Sequence, residues 1–169
     1  RKSYARFTPK AVPIRRKCSL TGKVMADPRA LYRLMSWLSP SYPVGAFAYS
    51  HGLEHAVEAG RVTDLTTLTA WVDAVLVQGT GSVDGPVFRE TYAAVWSSNW
   101  PRLDEIATLG TAFQATAEFA LESRSQGAAF LKATRAAWPA AALGRLGEGP
   151  VYPVAVAAAC AAHKIALED

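Results

Sequence analysis

The sequence is poor in cysteine, with two among 169 residues. Cys18 and Cys160 lie too far apart in the chain to form a CxxC or zinc-ligand pattern, and two cysteines cannot build a disulfide framework. Cys160 lies in an apolar stretch, where a free thiol behaves as a small buried hydrophobe. This usage indicates a reducing compartment, and we expect a cytoplasmic protein.

Long hydrophobic runs are also missing. The longest apolar stretch, residues 151–162, is too short to cross a bilayer, which takes about 20 residues, and no signal peptide is evident. The sequence therefore predicts no membrane partner. Half of the residues are hydrophobic and 19% are charged, a composition typical of one globular domain with a substantial core.

Acidic residues are absent from the first 24 positions. The eight basic residues of this arm are Arg1, Lys2, Arg6, Lys10, Arg15, Arg16, Lys17 and Lys23, whereas the remainder has ten basic and 14 acidic residues, a net charge of −4. Because the basic groups do not belong to the body, we expect no nucleic-acid partner. The arm resembles a transit peptide in composition, but Met25 could equally be the natural start. We predict a disordered or non-native arm over residues 1–25 and a helical domain over 26–169.

Apolar residues recur with the period of a helix, and the alternation typical of strands is missing. Asp27 and Asp64 are predicted helix caps, and Gly60 is a predicted helix end. Pro86 is the predicted first residue of one helix, and Asn99 or Trp100 with Pro101 is predicted to begin the next segment. The predicted helices cover about 28–38, 49–59, 65–77, 86–96, 101–117, 118–137 and 152–165. We therefore predict an irregular all-α bundle of six to eight helices, incomplete at its C-terminus because the sequence stops directly after a helix.

A metal-binding pattern is present in residues 51–55. His51, Glu54 and His55 match the H-x-x-E-H pattern of inverted zinc peptidases, and histidines one helical turn apart can share a metal ion. Gly52 weakens such a platform, and His163 is the only other histidine. His51 and His55 remain weak candidates for a metal ion, and a zinc peptidase remains an alternative function.

Residues 79–85 are rich in glycine, but they lack the lysine and the spacing of a phosphate-binding P-loop. We interpret them as a loop between helices. Neither a catalytic triad nor a pair of catalytic carboxylates stands out, so the residues alone predict a helical domain without catalytic residues. A protein-interaction module of some other helical family also remains an alternative.

Residues 38–54 carry a resemblance to a known family. They contain Ser39-Pro40, then Pro43-Val44-Gly45-Ala46-Phe47, then Tyr49-Ser50 and Gly52-Leu53-Glu54, a gap-free sequence that closely resembles the signature of the urease accessory family UreF. Further similarity lies in Val57-Glu58-Ala59-Gly60, in Asp84-Gly85-Pro86 where the family has an aspartate that opens a helix, in Glu122-Ser123-Arg124, and in Tyr152-Pro153-Val154. The resemblance covers about residues 30–165.

The resemblance implies a scaffold without chemistry of its own. UreF-like proteins form homodimers when full length, bind UreD (UreH in some species), and recruit the GTPase UreG, and the assembly delivers nickel to the urease apoprotein. Nickel and GTP would thus be handled by the complex, with no cofactor bound by this chain. The family usually continues with further helices that are implicated in dimerisation and in UreD binding.

The same resemblance implies roles for single residues. Pro40, Pro43 and Gly45 are expected to shape a fixed turn. The candidates for a partner-binding surface are Tyr49, Ser50, His51, Glu54, Glu122 and Arg124.

Overall fold

The computed structural model describes residues 27–46 and 49–167, so the predicted basic arm and Cys18 lie outside the described residues. The described part is all-α, as predicted, and contains no strand. Its elements are α1 (Pro28–Trp37), α2 (Leu53–Glu58), α3 (Leu65–Val77), α4 (Gly81–Trp96), α5 (Trp100–Ala112), α6 (Ala117–Ala137), the 3-10 helix Ala141–Arg145, and α7 (Tyr152–Ala162).

Three polar residues cap helices, and two of them, Asp27 and Asp64, are caps that the sequence predicts. Asp27 accepts a hydrogen bond from the backbone of Arg29 at the start of α1, and Asn99 accepts one from Arg102 at the start of α5. Asp64 and Thr67 form a reciprocal capping box at the start of α3. Each cap satisfies backbone N–H groups that the first turn of a helix leaves without partners.

Helix α7 forms the centre of the bundle. Nine of its eleven residues are buried, most of them alanine, and its most extensive contacts are with α4 and α6. Small side chains allow neighbouring backbones to come close. At Gly127 of α6 the approach is so tight that a Cβ atom would overlap the carbonyl oxygen of Pro150.

The connection into α7 is held by arginine side chains of α6. Arg135 donates hydrogen bonds to the carbonyl oxygens of Leu143, at 3.1 and 2.6 Å, and Leu146, at 2.6 Å. Arg124 donates to the carbonyl oxygen of Gly149, at 3.2 Å. These bonds fix the segment between the 3-10 helix and α7 against α6.

Two predicted helix starts are wrong. Helix α2 begins at Leu53 rather than near Tyr49, because His51 and Gly52 have φ values of 50° and 77°, which a right-handed helix does not allow. Helix α4 begins at Gly81, so residues 81–85 are helical rather than a loop and Pro86 lies inside the helix. The packing of α4 on α7 offsets the hydrogen bond that Pro86 cannot make.

Two helices end earlier than predicted. Helix α5 ends at Ala112 rather than near Ala117, because Thr116 has an extended backbone and caps α6, which begins at Ala117. Helix α7 ends at Ala162, three residues before the predicted end, because Lys164 has a φ of 56°. The buried position of Cys160 is confirmed.

Among the described helices, none combines the length and apolarity needed to cross a membrane.

We predict that Gly127→Ala destabilises the protein by about 1–3 kcal/mol, the usual cost of overpacking a tight interior contact. The added methyl group must displace the backbone at Pro150. Urea unfolding followed by circular dichroism measures the change.

Gly144→Ala is the matched control. It adds the same methyl group where no atom lies within 4 Å, so stability should be unchanged or up to about 1 kcal/mol higher. Equal unfolding midpoints for the two variants would contradict the proposed close approach of α6 and the segment before α7.

Candidate functional site

The turn that follows α1 is attached to α6 through a tyrosine. The Tyr42 hydroxyl and the Thr134 hydroxyl are 2.8 Å apart, and the Tyr42 ring lies 5.4 Å from that of Phe130. The predicted turn residues Pro40, Pro43 and Gly45 lie in this segment, and Gly45 has a φ of 75°, a conformation that glycine adopts without strain.

The 49–54 surface, defined by Tyr49, Ser50, His51 and Glu54, follows directly. The Tyr49 side chain is 44% exposed, Ser50 is half-buried, and His51 and Glu54 are exposed. The backbone at Gly52 passes over Trp71 of α3. Four of the six predicted partner-binding residues therefore lie in one short segment.

The H-x-x-E-H residues do not share a helix in this structure. His51 precedes α2 with its backbone in the left-handed region, whereas Glu54 and His55 lie within α2. The one-turn spacing that would place both imidazoles on a common metal ion is therefore not formed. The described ranges contain no group of three or more His, Cys, Asp or Glu side chains placed to hold a metal ion.

His51 instead contributes to a small cavity between α4, α6 and the start of α7, beside the turn after α5, which we call the Asp84 cavity. The volume is about 200 Å³. The His51 ring lies 6.3 Å from the Phe119 ring. The lining residues are His51, Thr80, Asp84, Gln114, Phe119, Glu122, Ser123, Gln126 and Tyr152.

Asp84 is the residue of this cavity with the most unusual environment. Its Oδ1 atom is buried and has no hydrogen-bond partner. Burial raises the pKa of the carboxyl group above its ordinary value of 3.8, and the Gln114 amide and the His51 ring oppose that rise in part. The fold thus retains a carboxylate where its ionised form is disfavoured, a feature that is more frequent at functional sites than elsewhere.

The opposite wall of the cavity comes from α6 and α7. Gln126 donates a hydrogen bond to Glu122 Oε1 at 3.0 Å, and Ser123 Oγ accepts one from the backbone of Tyr152 at 3.0 Å. Burial raises the pKa of the Tyr152 hydroxyl, and the nearby Tyr42 adds to the effect. These side chains are held in place by neighbours, so the wall is preorganised.

The remaining predicted residue, Arg124, lies elsewhere. It follows Glu122 by two positions, which places it on a different side of α6, and it contacts Gly149. The structure therefore brings together His51 and Glu122 at one cavity and separates Arg124 from them. Tyr49, Ser50 and Glu54 are neighbours of His51 along the chain.

Sequence reasoning did not select Asp84, Gln114, Phe119 or Gln126 as site residues. Asp84 was noted only as part of the Asp84-Gly85-Pro86 similarity. An available signal was its position as the one acidic residue between Asp73 and Glu90. The two glutamines and Phe119 have no comparable signal, because only the fold brings the turn after α5 beside α6 at the cavity.

Comparisons with known proteins agree with one another. A family model described as UreF matches residues 62–169. Proteins named urease accessory protein UreF are 50% identical over 130 residues in Granulibacter bethesdensis, 47% over 142 residues in Rhodopseudomonas palustris strain BisA53, and 41% over 145 residues in Magnetococcus marinus. These matches cover 75%, 82% and 83% of this chain, and 55%, 60% and 63% of the respective relatives. The chain thus spans about three-fifths of their length.

We predict that Asp84→Asn raises stability at pH 7. Because the folded-state pKa of Asp84 lies above its unfolded value, the stability that this group contributes is present below the unfolded pKa and is lost as the pH rises through the folded pKa. The asparagine does not ionise. Its advantage in urea midpoint should therefore be largest near neutral pH and should shrink below pH 3.8.

The exposed Asp104 offers a matched substitution. Asp104→Asn should leave the urea midpoint nearly unchanged, both near neutral pH and below pH 3.8. An Asp84→Asn variant that is less stable than the wild type at pH 7 would show that the carboxylate stabilises the fold.

Proposed function

Because the chain belongs to the UreF family, we propose that it acts as a scaffold in the maturation of urease and catalyses no reaction itself. The observation that carries this proposal is the family match over residues 62–169, together with 41–50% identity to proteins named as urease accessory proteins. The proposal covers the role of the whole protein, of which this chain represents about three-fifths.

The site supports a binding role more than a catalytic one. The Asp84 cavity and the 49–54 surface contain carboxylates, one imidazole, amides and hydroxyls, and the Ser123 hydroxyl is hydrogen-bonded to the backbone of Tyr152. The separation of His51 from helix α2 also removes the main support for a zinc peptidase.

The proposed partners are those implied by the family. We propose that the full-length protein forms a homodimer, binds UreD or UreH, and recruits the GTPase UreG in the cytoplasm. Nickel is then the cargo of the assembly and GTP its energy source. A scaffold contributes by linking the nucleotide state of one partner to the release of metal by another, which requires only different affinities in the two states.

The whole proposal is tested by reconstitution. The chain, within its full-length protein, is combined with the UreD-like and UreG-like proteins of the same organism, GTP, Ni²⁺ and urease apoprotein. We expect a stable complex and a rise in the nickel content of urease. A folded protein that forms no such complex and leaves the nickel content unchanged would contradict the proposal.

The 49–54 surface provides a sharper prediction. Tyr49→Ala should weaken recruitment of the UreG-like GTPase by about tenfold or more, since exposed aromatic residues are frequent energetic centres of interfaces. Glu54→Ala should have a smaller effect, because an exposed charge contributes mainly to the association rate. Biolayer interferometry with the immobilised complex measures both.

Asp104→Ala serves as the control, since it removes an exposed carboxylate of α5 outside the 49–54 surface. Wild-type affinity in a folded Tyr49→Ala variant would exclude this surface as the recruitment site.

A further inference from the structure

The charge of the Asp84 cavity selects the sign of its ligand. Two carboxylates line it, those of Asp84 and Glu122, and within the described residues no lysine or arginine does. His51 is the only lining group that could add positive charge. Phosphate and other anions are therefore disfavoured, whereas a cation would be attracted by both carboxylates.

The unpartnered Asp84 Oδ1 requires a hydrogen-bond donor. A buried carboxylate oxygen without a partner is costly, and the Oδ1 atom faces this situation in the protein alone. A water molecule would supply a donor but no charge. A cationic donor would satisfy both the oxygen and the charge, and charge-assisted hydrogen bonds are roughly twice as strong as neutral ones.

The size and the walls of the cavity restrict the ligand further. Its volume of about 200 Å³ is below the roughly 300–1,000 Å³ of ordinary small-molecule sites, so it accommodates the end of one long side chain. Phe119 and Tyr152 supply aromatic walls. A guanidinium group suits such a site, because it is planar, stacks on aromatic rings, and is more weakly hydrated than an ammonium group.

A metal ion fits less well. His51, Asp84 and Glu122 all line the cavity, but their side chains do not converge as a metal-holding group within the described part of the chain. Divalent nickel would need several ligands at about 2 Å from one point. The arrangement thus favours an extended cation with several donors over a point charge.

We propose that the Asp84 cavity binds the guanidinium group of an arginine side chain presented by a partner protein. His51 is exposed at the edge of the cavity and belongs to the 49–54 surface, so a partner that docks on this surface can reach the cavity. The assignment of this arginine to a partner in urease maturation rests on the proposed function. The preference of the cavity for a guanidinium group does not depend on the proposed function.

The test uses ethylguanidinium chloride as the probe and ethylurea as its neutral analogue of the same shape. The protein is titrated with each while the side-chain amide signals of Gln114 and Gln126 are followed by NMR. We expect a saturable shift with ethylguanidinium and none with ethylurea. Equal binding of both probes would overturn the proposal, because the charge would then be irrelevant.

Two variants locate the probe. Asp84→Asn should weaken ethylguanidinium binding by about tenfold or more, since it removes the charge of the carboxylate, and hydrogen bonds to charged groups are the stronger ones. Asp104→Asn should bind like the wild type. If Asp84→Asn does not fold by circular dichroism, Glu122→Gln replaces it with the same expected direction. Unchanged binding in the folded variant would overturn the proposal.

A nickel titration of the same sample tests whether the ligand of the cavity is instead a metal ion. Saturable Ni²⁺ shifts at Gln114 and Gln126, lost in Asp84→Asn and without any response to ethylguanidinium, would assign the cavity to a metal ion and overturn the proposal.

The source of the arginine is tested by competition. Ethylguanidinium, but not ethylurea, should dissociate the complex with the UreD-like and UreG-like proteins at concentrations that fill the cavity. A complex that survives with the cavity filled would overturn the assignment to a partner's arginine. These outcomes differ from failure of the proposed function, in which no complex forms although the cavity still binds the probe.

Discussion

The close contact between α6 and the start of α7 is the constraint on which the rest of the molecule depends. Gly127 leaves no room for a side chain beside Pro150, and the buried alanines of α7 extend this close packing along the helix. The same contact places Tyr152 at the junction, where Ser123 accepts a hydrogen bond from its backbone. One wall of the Asp84 cavity is therefore a direct consequence of how the core is packed.

The opposite wall depends on α4, whose N-terminal turn could not be predicted from local sequence. Gly81, Gly85 and Pro86 all favour a break, yet the helix begins at Gly81. A Cβ atom at Gly79 would lie 2.8 Å from the Val75 carbonyl oxygen, so glycine is needed where α3 turns sharply into α4. The glycines that locally indicate a loop serve here to let two helices follow each other closely.

The sequence was most informative where a local interaction determines the structure. Asp27 and Asp64 cap helices as predicted, because a side-chain oxygen reaches a backbone N–H within three residues. The apolar stretch of α7 could be placed in the core for a similar reason, since its composition alone requires burial. The backbone conformation at His51 was harder to predict from the sequence. The spacing of His51 and His55 suits a helix, but the left-handed backbone of Gly52 prevents one.

The candidate site could be predicted only in part, because its residues come from distant parts of the chain. His51 and Glu122 were both selected, but not as neighbours, and Gln114 and Gln126 were not selected at all. They are separated by up to 75 positions from His51, and they come together only when α4 and α6 pack on α7.

Buried residues are distributed unequally over the helices. The large core cluster comes mainly from α4 to α7 and from Trp37 of α1, whereas no residue of α3 is buried. Leu65, Val72, Leu76 and Val77 of α3 are 44–78% exposed. Regions with few buried contacts open more readily than the core.

The 49–54 surface belongs to this less densely packed part, but His51 reaches the core side through Phe119 and Asp84. A ligand in the cavity would add contacts on both sides of this junction. Occupation of the cavity would therefore restrict the conformations of the 49–54 segment, and a partner that orders this segment would bind the cavity's ligand more tightly in return, since such coupling is reciprocal.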